Sequence, residues 1–132
     1  MSGDLKWNKI MAAGLATLRE LESTDAFARL EHAGARLESG MKAVAAAHAV
    51  PMQFQRIGSM FCGYFTDRPV WNLNDALTSD RTRFGKFFHA MLDNGVYLAP
   101  SAYEAGFVSS AHGPAEIKQT LAAARESFTA VA

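Results

Sequence analysis

The spacing of apolar residues along the chain sets the strongest limit on what it can fold into. Four stretches have apolar residues at intervals of three and four, which is typical of helices with one buried face. They predict helices over residues 9–21, 26–48, 80–94 and 114–131. Gly95 is suited to end the third helix, and Pro114 is suited to the first turn of the fourth. We expect the apolar stripe of the first helix to be buried.

Strand patterns occur on both sides of the third predicted helix. Residues 52–55 alternate and residues 60–65 are almost wholly apolar, which predicts two adjacent strands. Residues 96–98 predict a short strand, and Phe107 with Val108 predicts another. Residues 68–78 have no clear period and predict a loop with at most one turn of helix. This order predicts an α+β fold, a small and largely antiparallel sheet with helices packed on one face and the other face exposed.

Composition and length limit the classes of partner. Thirteen Lys and Arg balance thirteen Asp and Glu, so the chain has no strong field with which to collect nucleic acid. No apolar stretch approaches the roughly 20 residues of a membrane span, and we expect no membrane association. The length predicts one domain over residues 1–132. Cys62 has no cysteine to pair with, which fits a reducing compartment and predicts a cytoplasmic protein.

Most of the residues that could carry chemistry have a structural interpretation. The four histidines show no close pairing with other ligand types, so we expect no metal site. Cys62 lies in the most apolar strand and is interpreted as a buried, inert thiol. Neither a Gly-x-Gly-x-x-Gly nor a Walker pattern is present. The aromatic residues Phe84, Phe87 and Phe88 are interpreted as core packing.

The segment GVYLAPSAYEAGF at residues 95–107 differs from the rest. It places Ser101, Tyr103 and Glu104 in an irregular stretch between Pro100 and Gly106. Loops held between rigid elements often carry function, and Glu104 is the candidate in this one. The local pattern by itself favours a solvated loop carboxylate over a functional one.

Four segments together carry a resemblance to a known family. They are MAAGLATLREL at residues 11–21, RIGSMF at 56–61, YFTD at 64–67 and FGKFFHAMLDNGVYLAPSAYEAGFVSSAH at 84–112. They resemble glutamate-1-semialdehyde 2,1-aminomutases, which are fold-type I, pyridoxal-phosphate-dependent isomerases of the class III aminotransferase group in porphyrin biosynthesis. The resemblance runs from residue 11 to the end of the chain and covers the C-terminal third of such an enzyme. It implies the fold of the small C-terminal domain.

The resemblance implies a site role for the loop. Glu104 matches the glutamate of the family's FEAG motif, which faces the substrate and positions its amino group. Ser101 and Tyr103 are implied to shape the same wall. In the family a large domain upstream carries the Schiff-base lysine and the coenzyme site, and no residue of this chain matches that lysine motif. We interpret the five lysines as surface charges: Lys6, Lys9, Lys42, Lys86 and Lys118.

The same comparison of motifs implies that the start of this chain lacks the family's contact to the coenzyme phosphate. Asp4 stands where the family has a segment whose threonine reaches the coenzyme phosphate, and a carboxylate there would repel the phosphate. The resemblance therefore implies pyridoxal phosphate for the full-length family, whereas we expect no cofactor for the isolated chain.

Two hypotheses from different classes follow. The first is a C-terminal domain of the aminomutase type that is inactive alone and needs a chain carrying the large domain. The alternative is a non-catalytic binding or oligomerisation module that kept the fold and associates with itself. Turnover by the isolated chain would require a new coenzyme site, for which the sequence offers no residues. Whether the chain is an enzyme stays open at this point.

Overall fold

A computed structural model describes the backbone of residues 3–132 and the side chains from Trp7 onward. The expectations for Asp4 and Lys6 concern side chains outside these described residues. The elements in chain order are α1 (Gly3–Ser23), α2 (Ala26–Ala47), β1 (Gln53–Ile57), β2 (Met60–Tyr64), α3 (Leu73–Leu77), α4 (Arg81–Asp93), β3 (Gly106–Phe107) and α5 (Pro114–Thr129). No helix in this part of the chain combines the length and the hydropathy needed to cross a lipid bilayer.

The long helices begin and end close to where the spacing predicts. Asp80 caps α4, because its side chain accepts a hydrogen bond of 2.9 Å from the backbone N–H of Arg83. Pro114 lies in the first turn of α5, where a missing N–H costs nothing. The exception is α1, which starts six residues before the predicted residue 9, since residues 4–8 contain neither proline nor glycine.

The strand predicted at residues 96–98 is wrong, because the end of α4 uses its backbone. Gly95 has a φ of +80°, and its N–H donates to the carbonyl of Leu92 at 3.0 Å. The N–H of Val96 donates to the carbonyl of Met91 at 2.9 Å. These two bonds form a Schellman motif, which confirms Gly95 as the stop of the helix. Residues 96–98 then run as irregular backbone, and Val96 and Leu98 pack against the core.

The three strands form one antiparallel sheet in the order β1-β2-β3. Gly58 has a φ of +56° and opens the two-residue turn that joins β1 to β2. The third strand is Gly106–Phe107 and not the predicted pair 107–108, but the N–H of Val108 still donates to the carbonyl of Ser59 at 2.9 Å. A short helix, α3, occupies part of the predicted loop, and the Asn72 side chain caps it by accepting from the N–H of Asp75. The α+β architecture is confirmed.

The core lies between one face of the sheet and the helices α2, α4 and α5. Phe54 of β1 and Phe61 of β2 stack on this face with ring centroids 5.4 Å apart. Phe128 of α5 is fully buried, and its ring centroid lies 4.9 Å from that of Phe87. The predicted core role of the aromatic cluster in α4 holds for Phe87, which is buried, and for Phe84, which packs against the core.

Phe88, the third aromatic residue of that cluster, is not one of the core residues, although its ring stacks on Phe84 with centroids 6.3 Å apart. It is half-buried and makes an edge contact with Tyr97, with centroids 6.1 Å apart. The core interpretation was therefore too broad for this residue. Phe88 helps instead to hold the start of the irregular segment that follows α4.

The helix α1 corrects the expectation of a buried first stripe. Every residue from Trp7 to Glu20 is exposed, and only Leu21 and Thr24 near the junction with α2 are half-buried. Five large apolar side chains of this helix therefore face solvent: Trp7, Ile10, Met11, Leu15 and Leu18. The spacing indicated the helix correctly, but the described residues contain no surface that covers its apolar side.

An ion-pair cluster fastens the β1–β2 hairpin to α2. The Arg56 guanidinium donates to both carboxylate oxygens of Glu31 at 2.8 and 2.9 Å, to Glu38 at 3.0 Å and to the carbonyl of Gly58 at 2.8 Å. Its side chain is only 12% exposed. The bonds from Arg56 hold the pKa of the Glu31 carboxyl below its ordinary value. Lys42 and then Arg56 do the same for the pKa of Glu38, against the effect of its burial.

Candidate functional site

The candidate loop closes on itself around Ser101 and Glu104. The backbone N–H of Glu104 donates to the carbonyl of Ser101 at 3.2 Å, and the N–H of Ser101 donates back to Glu104 Oε2 at 3.3 Å. The Ser101 hydroxyl accepts from the N–H of Tyr103 at 3.3 Å. Both predicted polar side chains thus brace a tight turn. Glu104 is exposed, and its other carboxylate oxygen, Oε1, accepts no hydrogen bond from the part of the chain that the structure describes.

Gly106 holds this turn close to the sheet. A Cβ at position 106 would lie 2.7 Å from Cε2 of the Phe61 ring, so no larger residue fits without moving the aromatic side chain. Gly106 pairs with Phe61 in the β2–β3 ladder, and Cys62 donates from Sγ to the carbonyl of Glu104 at 3.5 Å. Glu104 is therefore placed at the edge of β2 by backbone contacts on both sides.

The sheet face opposite the core is open, as the sequence predicts. We call it the outer sheet face, and the alternation of the strands places on it Gln53, Gln55, Ile57, Met60, Cys62, Tyr64 and Phe107. Ile57 and Phe107 are 73% and 66% exposed. An open hollow of about 680 Å³ lies along this face and reaches Ala105, beside Glu104.

Cys62 does not have the predicted buried position. It is half-buried on the outer sheet face, because the strand period of two turns its side chain away from the core that receives Phe61. A hydrogen bond with Cys62, together with burial, raises the pKa of Tyr64 to about 12. Tyr64 therefore stays protonated at neutral pH.

An apolar cavity of about 290 Å³ lies on the core side of the loop. Its walls come mainly from apolar residues such as Phe61, Phe84 and Met91. The few polar side chains in its lining are those of Cys62, Tyr97, Ser101, Glu104, His112 and Thr120. Small-molecule sites combine apolar walls with a few oriented polar groups in this way. Two of the three predicted site residues, Ser101 and Glu104, line this cavity.

Tyr103 takes a different position from its two neighbours. It does not line the cavity, and its hydroxyl is buried with no hydrogen-bond partner among the described residues. A buried hydroxyl without a partner is costly, and because this one has no exposed surface it is not presented to a ligand. The sequence placed Tyr103 beside Glu104 correctly, but could not predict which way its ring turns.

Two residues of the site were missed at the level of sequence. Gly106 was noted only as the residue that ends the irregular stretch, and Cys62 was interpreted only as a buried thiol. The signals existed: Gly106 follows Glu104 by two residues in a strand-forming segment, where glycine often marks a close approach. The strand period places Cys62 opposite to Phe61. Among the described side chains, from Trp7 onward, no group of three or more His, Cys, Asp or Glu is arranged to hold a metal ion.

No family model matches the chain, but solved structures define its class of fold. The FumI protein from Sphingopyxis sp. MTA144, in its PLP internal aldimine form, superposes with a TM-score of 0.75 and 30% sequence identity over 92% of this chain and 26% of its own. An omega-transaminase from Sphaerobacter thermophilus superposes with a TM-score of 0.76 and 25% identity, over 92% of this chain and 27% of its own. The fold is that of the small domain of fold-type I PLP-dependent aminotransferases.

A particular enzyme of this class is similar over nearly the whole chain. Glutamate-1-semialdehyde 2,1-aminomutase from Myxococcus xanthus is 48% identical over 128 residues, which are 96% of this chain and 30% of that enzyme. The chain is thus similar to the C-terminal part of glutamate-1-semialdehyde 2,1-aminomutase, as its motifs imply. It spans about a third of the length of this relative.

The described residues around the cavity do not fit pyridoxal phosphate on their own. The described side chains that line the cavity include no lysine or arginine to form the link to the aldehyde or to bind the phosphate. The four described lysines, Lys9, Lys42, Lys86 and Lys118, are all exposed, as predicted. Arg56 borders the hollow on the outer sheet face, but Glu31, Glu38 and the Gly58 carbonyl already occupy four of its five N–H donors. What the cavity offers instead is a carboxylate acceptor, Glu104.

Proposed function

We propose that this chain acts as a single domain that completes an aminomutase-type active site in the cytoplasm, together with a polypeptide that carries the PLP-binding large domain. The observation that carries the proposal is the identity of 48% with an aminomutase, together with the fact that the chain spans only 30% of that enzyme. A domain with this fold and without the coenzyme groups is expected to supply one wall of the site and not the whole of it.

The proposed role of Glu104 is to receive the amino group of the substrate. Its Oε2 is occupied by the N–H of Ser101, which fixes the plane of the carboxylate and leaves Oε1 available to accept a charged N–H donor. Gly106 and the Cys62 contact hold the backbone of Glu104 at the sheet edge. A positioned carboxylate of this kind lowers the freedom of the bound amine and so favours a productive orientation.

The proposed roles of Ser101 and Tyr103 are to support that carboxylate. Ser101 braces the turn through both its N–H and its hydroxyl. The Tyr103 N–H donates to the Ser101 hydroxyl and the hydroxyl of Tyr103 itself is buried, so Tyr103 is proposed to stiffen the turn from within. Neither residue is proposed to take part in proton transfer.

A second candidate function is a non-catalytic module that associates with itself. The exposed apolar side chains of α1 and of the outer sheet face favour some kind of association. This alternative predicts a stable homo-oligomer that forms no complex with an aminomutase large domain. Sedimentation velocity on the purified chain, with and without such a partner, separates the two candidates.

The proposal is tested with a chimera in which this chain replaces the C-terminal part of the Myxococcus xanthus enzyme to which it aligns. We expect the chimera to convert glutamate-1-semialdehyde to 5-aminolevulinate. The variant Glu104→Gln should lower kcat/KM by about tenfold or more, since an amide loses the charge that holds the amine. Glu126→Gln, at an exposed glutamate of α5, is the matched control and should leave turnover unchanged.

Two results would contradict the proposal. A chimera that retains the coenzyme and the oligomeric state of the Myxococcus xanthus enzyme, but has no turnover, would remove the aminomutase role from this chain. Equal activity of the Glu104→Gln and Glu126→Gln chimeras would remove the assignment of the site to the loop.

A further inference from the structure

The end of α4 contains the one asparagine of the sequence that is followed by glycine, Asn94 before Gly95. Asn94 is the C-cap of the helix, with φ −91° and ψ 15°, and both residues are exposed. The side-chain amide of Asn94 donates from Nδ2 to the carbonyl of Ala90 at 2.8 Å. The backbone N–H of Gly95 donates to the carbonyl of Leu92 at 3.0 Å. We call these two hydrogen bonds the α4 cap.

The two amides that form the α4 cap are also able to react with each other. When the nitrogen of Gly95 attacks Cγ of Asn94, an N–Cγ bond forms and the Cγ–Nδ2 bond breaks. Nδ2 leaves as ammonia with the proton that the Gly95 nitrogen gives up, and a cyclic imide remains. Water then opens the imide at either carbonyl carbon and leaves an aspartate or an isoaspartate at position 94. Glycine favours the attack, since it has no Cβ to shield its nitrogen and its backbone rotates freely.

The α4 cap opposes this reaction in the folded chain. The bond to Ala90 holds the Asn94 amide over the last turn of the helix. The nitrogen of Gly95 is held in the left-handed turn at φ +80° and keeps its proton on the Leu92 carbonyl. Both groups must leave these partners before the nitrogen reaches Cγ. Because helix ends open locally at a lower free energy than the core, the cap slows the reaction without preventing it.

The other asparagines of the chain provide an internal comparison. Asn8, Asn72 and Asn74 are followed by lysine, leucine and aspartate, so a Cβ lies beside each attacking nitrogen. The Asn72 side chain is also engaged, since its Oδ1 accepts from the N–H of Asp75 at 3.1 Å. The sequence and the contacts together therefore single out Asn94 as the position that reacts first.

We propose that Asn94 is a site of spontaneous deamidation, that its rate is set by opening of the α4 cap, and that the reaction loosens the segment that carries Glu104. The proposal goes beyond the proposed function and does not depend on it. The segment at residues 95–107 starts directly after Asn94, and its first anchor is the N–H of Val96, which donates to the carbonyl of Met91 at 2.9 Å.

Both products of the reaction weaken that anchor. An isoaspartate adds one methylene to the backbone before Gly95, so the N–H groups of Gly95 and Val96 lose the spacing with which they reach the carbonyls of α4. An aspartate no longer donates to Ala90, and its charge lies at the C-terminal end of the helix, where the macrodipole disfavours an anion. The start of the Glu104 segment is released in either case.

The test incubates the purified chain at neutral pH, with and without guanidinium chloride at a concentration that unfolds it. Peptide mapping by mass spectrometry follows each asparagine, and a protein isoaspartyl methyltransferase labels the isoaspartate. In denaturant we expect Asn94 to convert several times faster than Asn72 or Asn74. Without denaturant its conversion should be slower by about tenfold or more, because opening of the cap costs at least that factor. It should still be faster than conversion of the other asparagines.

The matched control is Asn94→Gln, which keeps an amide donor at the cap. Its imide ring would need one more atom and forms far more slowly, so the mapped peptide should keep its mass. Hydrogen exchange then compares fresh and converted chains. We expect faster exchange of residues 95–107 in the converted chain, and no change in the Asn94→Gln chain after the same incubation.

Four results would overturn the proposal in whole or in part. Conversion of Asn94 at the rate of Asn72 in denaturant would remove the site, as would no detectable conversion in the native chain. Equal rates with and without denaturant would remove control by the α4 cap. Equal hydrogen exchange of residues 95–107 in fresh and fully converted chains would remove the link to Glu104.

Discussion

The helices α1 and α5 have apolar stripes of the same kind and opposite surroundings. In α5 the stripe packs inward, with Ile117 and Phe128 buried between α2, α4 and the sheet. In α1 every side chain from Trp7 to Glu20 is exposed. Amphipathic spacing specifies a helix and the side it will bury, but not the surface that covers that side. For α5 this surface belongs to the same chain, and for α1 it is not among the described residues.

The largest expected effect is the removal of a ring from the packed helix. Phe128→Ala should lower the free energy of unfolding by about 3–5 kcal/mol, because it empties a fully buried site against Phe87. Leu18→Ala on the exposed apolar side of α1 is the comparison change and should cost no more than about 0.5 kcal/mol in the free chain. Urea unfolding followed by fluorescence measures both. A cost of Leu18→Ala close to that of Phe128→Ala would contradict the contrast between the helices.

The next largest effect is expected at Gly34, a glycine of α2 that contacts the hairpin. In α2 a Cβ at Gly34 would lie 2.5 Å from the carbonyl oxygen of Gly58 and 3.0 Å from Cδ of Arg56. Gly34→Ala should therefore lower the free energy of unfolding by about 1–3 kcal/mol, because the hairpin must shift. Thermal denaturation is the measurement. An unchanged free energy of unfolding would mean that the hairpin moves easily and is not held tightly against α2.

A pH dependence follows from the ion-pair cluster at that contact. The pKa values of Glu31 and Glu38 are lower in the folded chain than the ordinary value of 4.5. Their stabilisation is therefore complete above pH 4.5 and is lost as the pH falls and the carboxylates are protonated. Arg56→Met should cost about 1 kcal/mol at pH 7, and the difference from the unmodified chain should shrink by pH 3. A difference that is constant with pH would show that the cluster is not the cause.

The smallest effect is expected at Gly14, in the open helix. A Cβ there meets no atom within 4 Å, so Gly14→Ala changes only the intrinsic preference of the backbone. It should stabilise α1 by about 0.5 kcal/mol. Helix content by circular dichroism between 5 and 40 °C measures it. A loss of helix content would mean that the glycine is needed by the free chain itself.

Local signals predicted much of the fold. Gly95 ends α4 and Pro114 starts α5 where the sequence predicts, because caps and breakers act through backbone geometry within a few residues. The predicted strand at 96–98 was wrong because the Schellman motif uses the N–H of Val96, which a strand would need for its hydrogen bonds to a neighbouring strand. The prediction that the first helix is buried was wrong because the spacing of apolar residues does not indicate which surface covers them.

The site was predictable only in part. The motif placed Glu104, Ser101 and Tyr103 in one loop, and the structure ties the first two together through the Ser101 N–H. The motif could not predict that Cys62 contacts the carbonyl of Glu104, since that contact joins residues 42 positions apart. The roles of these side chains towards a substrate remain predictions that the chimera tests.

The most direct test of the central claim compares turnover by the chain alone with turnover by the complex. The purified 132-residue chain and its complex with the preceding part of the Myxococcus xanthus enzyme are each given glutamate-1-semialdehyde and pyridoxal phosphate, and the release of 5-aminolevulinate is measured. The account predicts product from the complex and none from the chain. Product from the chain alone, or an intact complex that makes none, would contradict it.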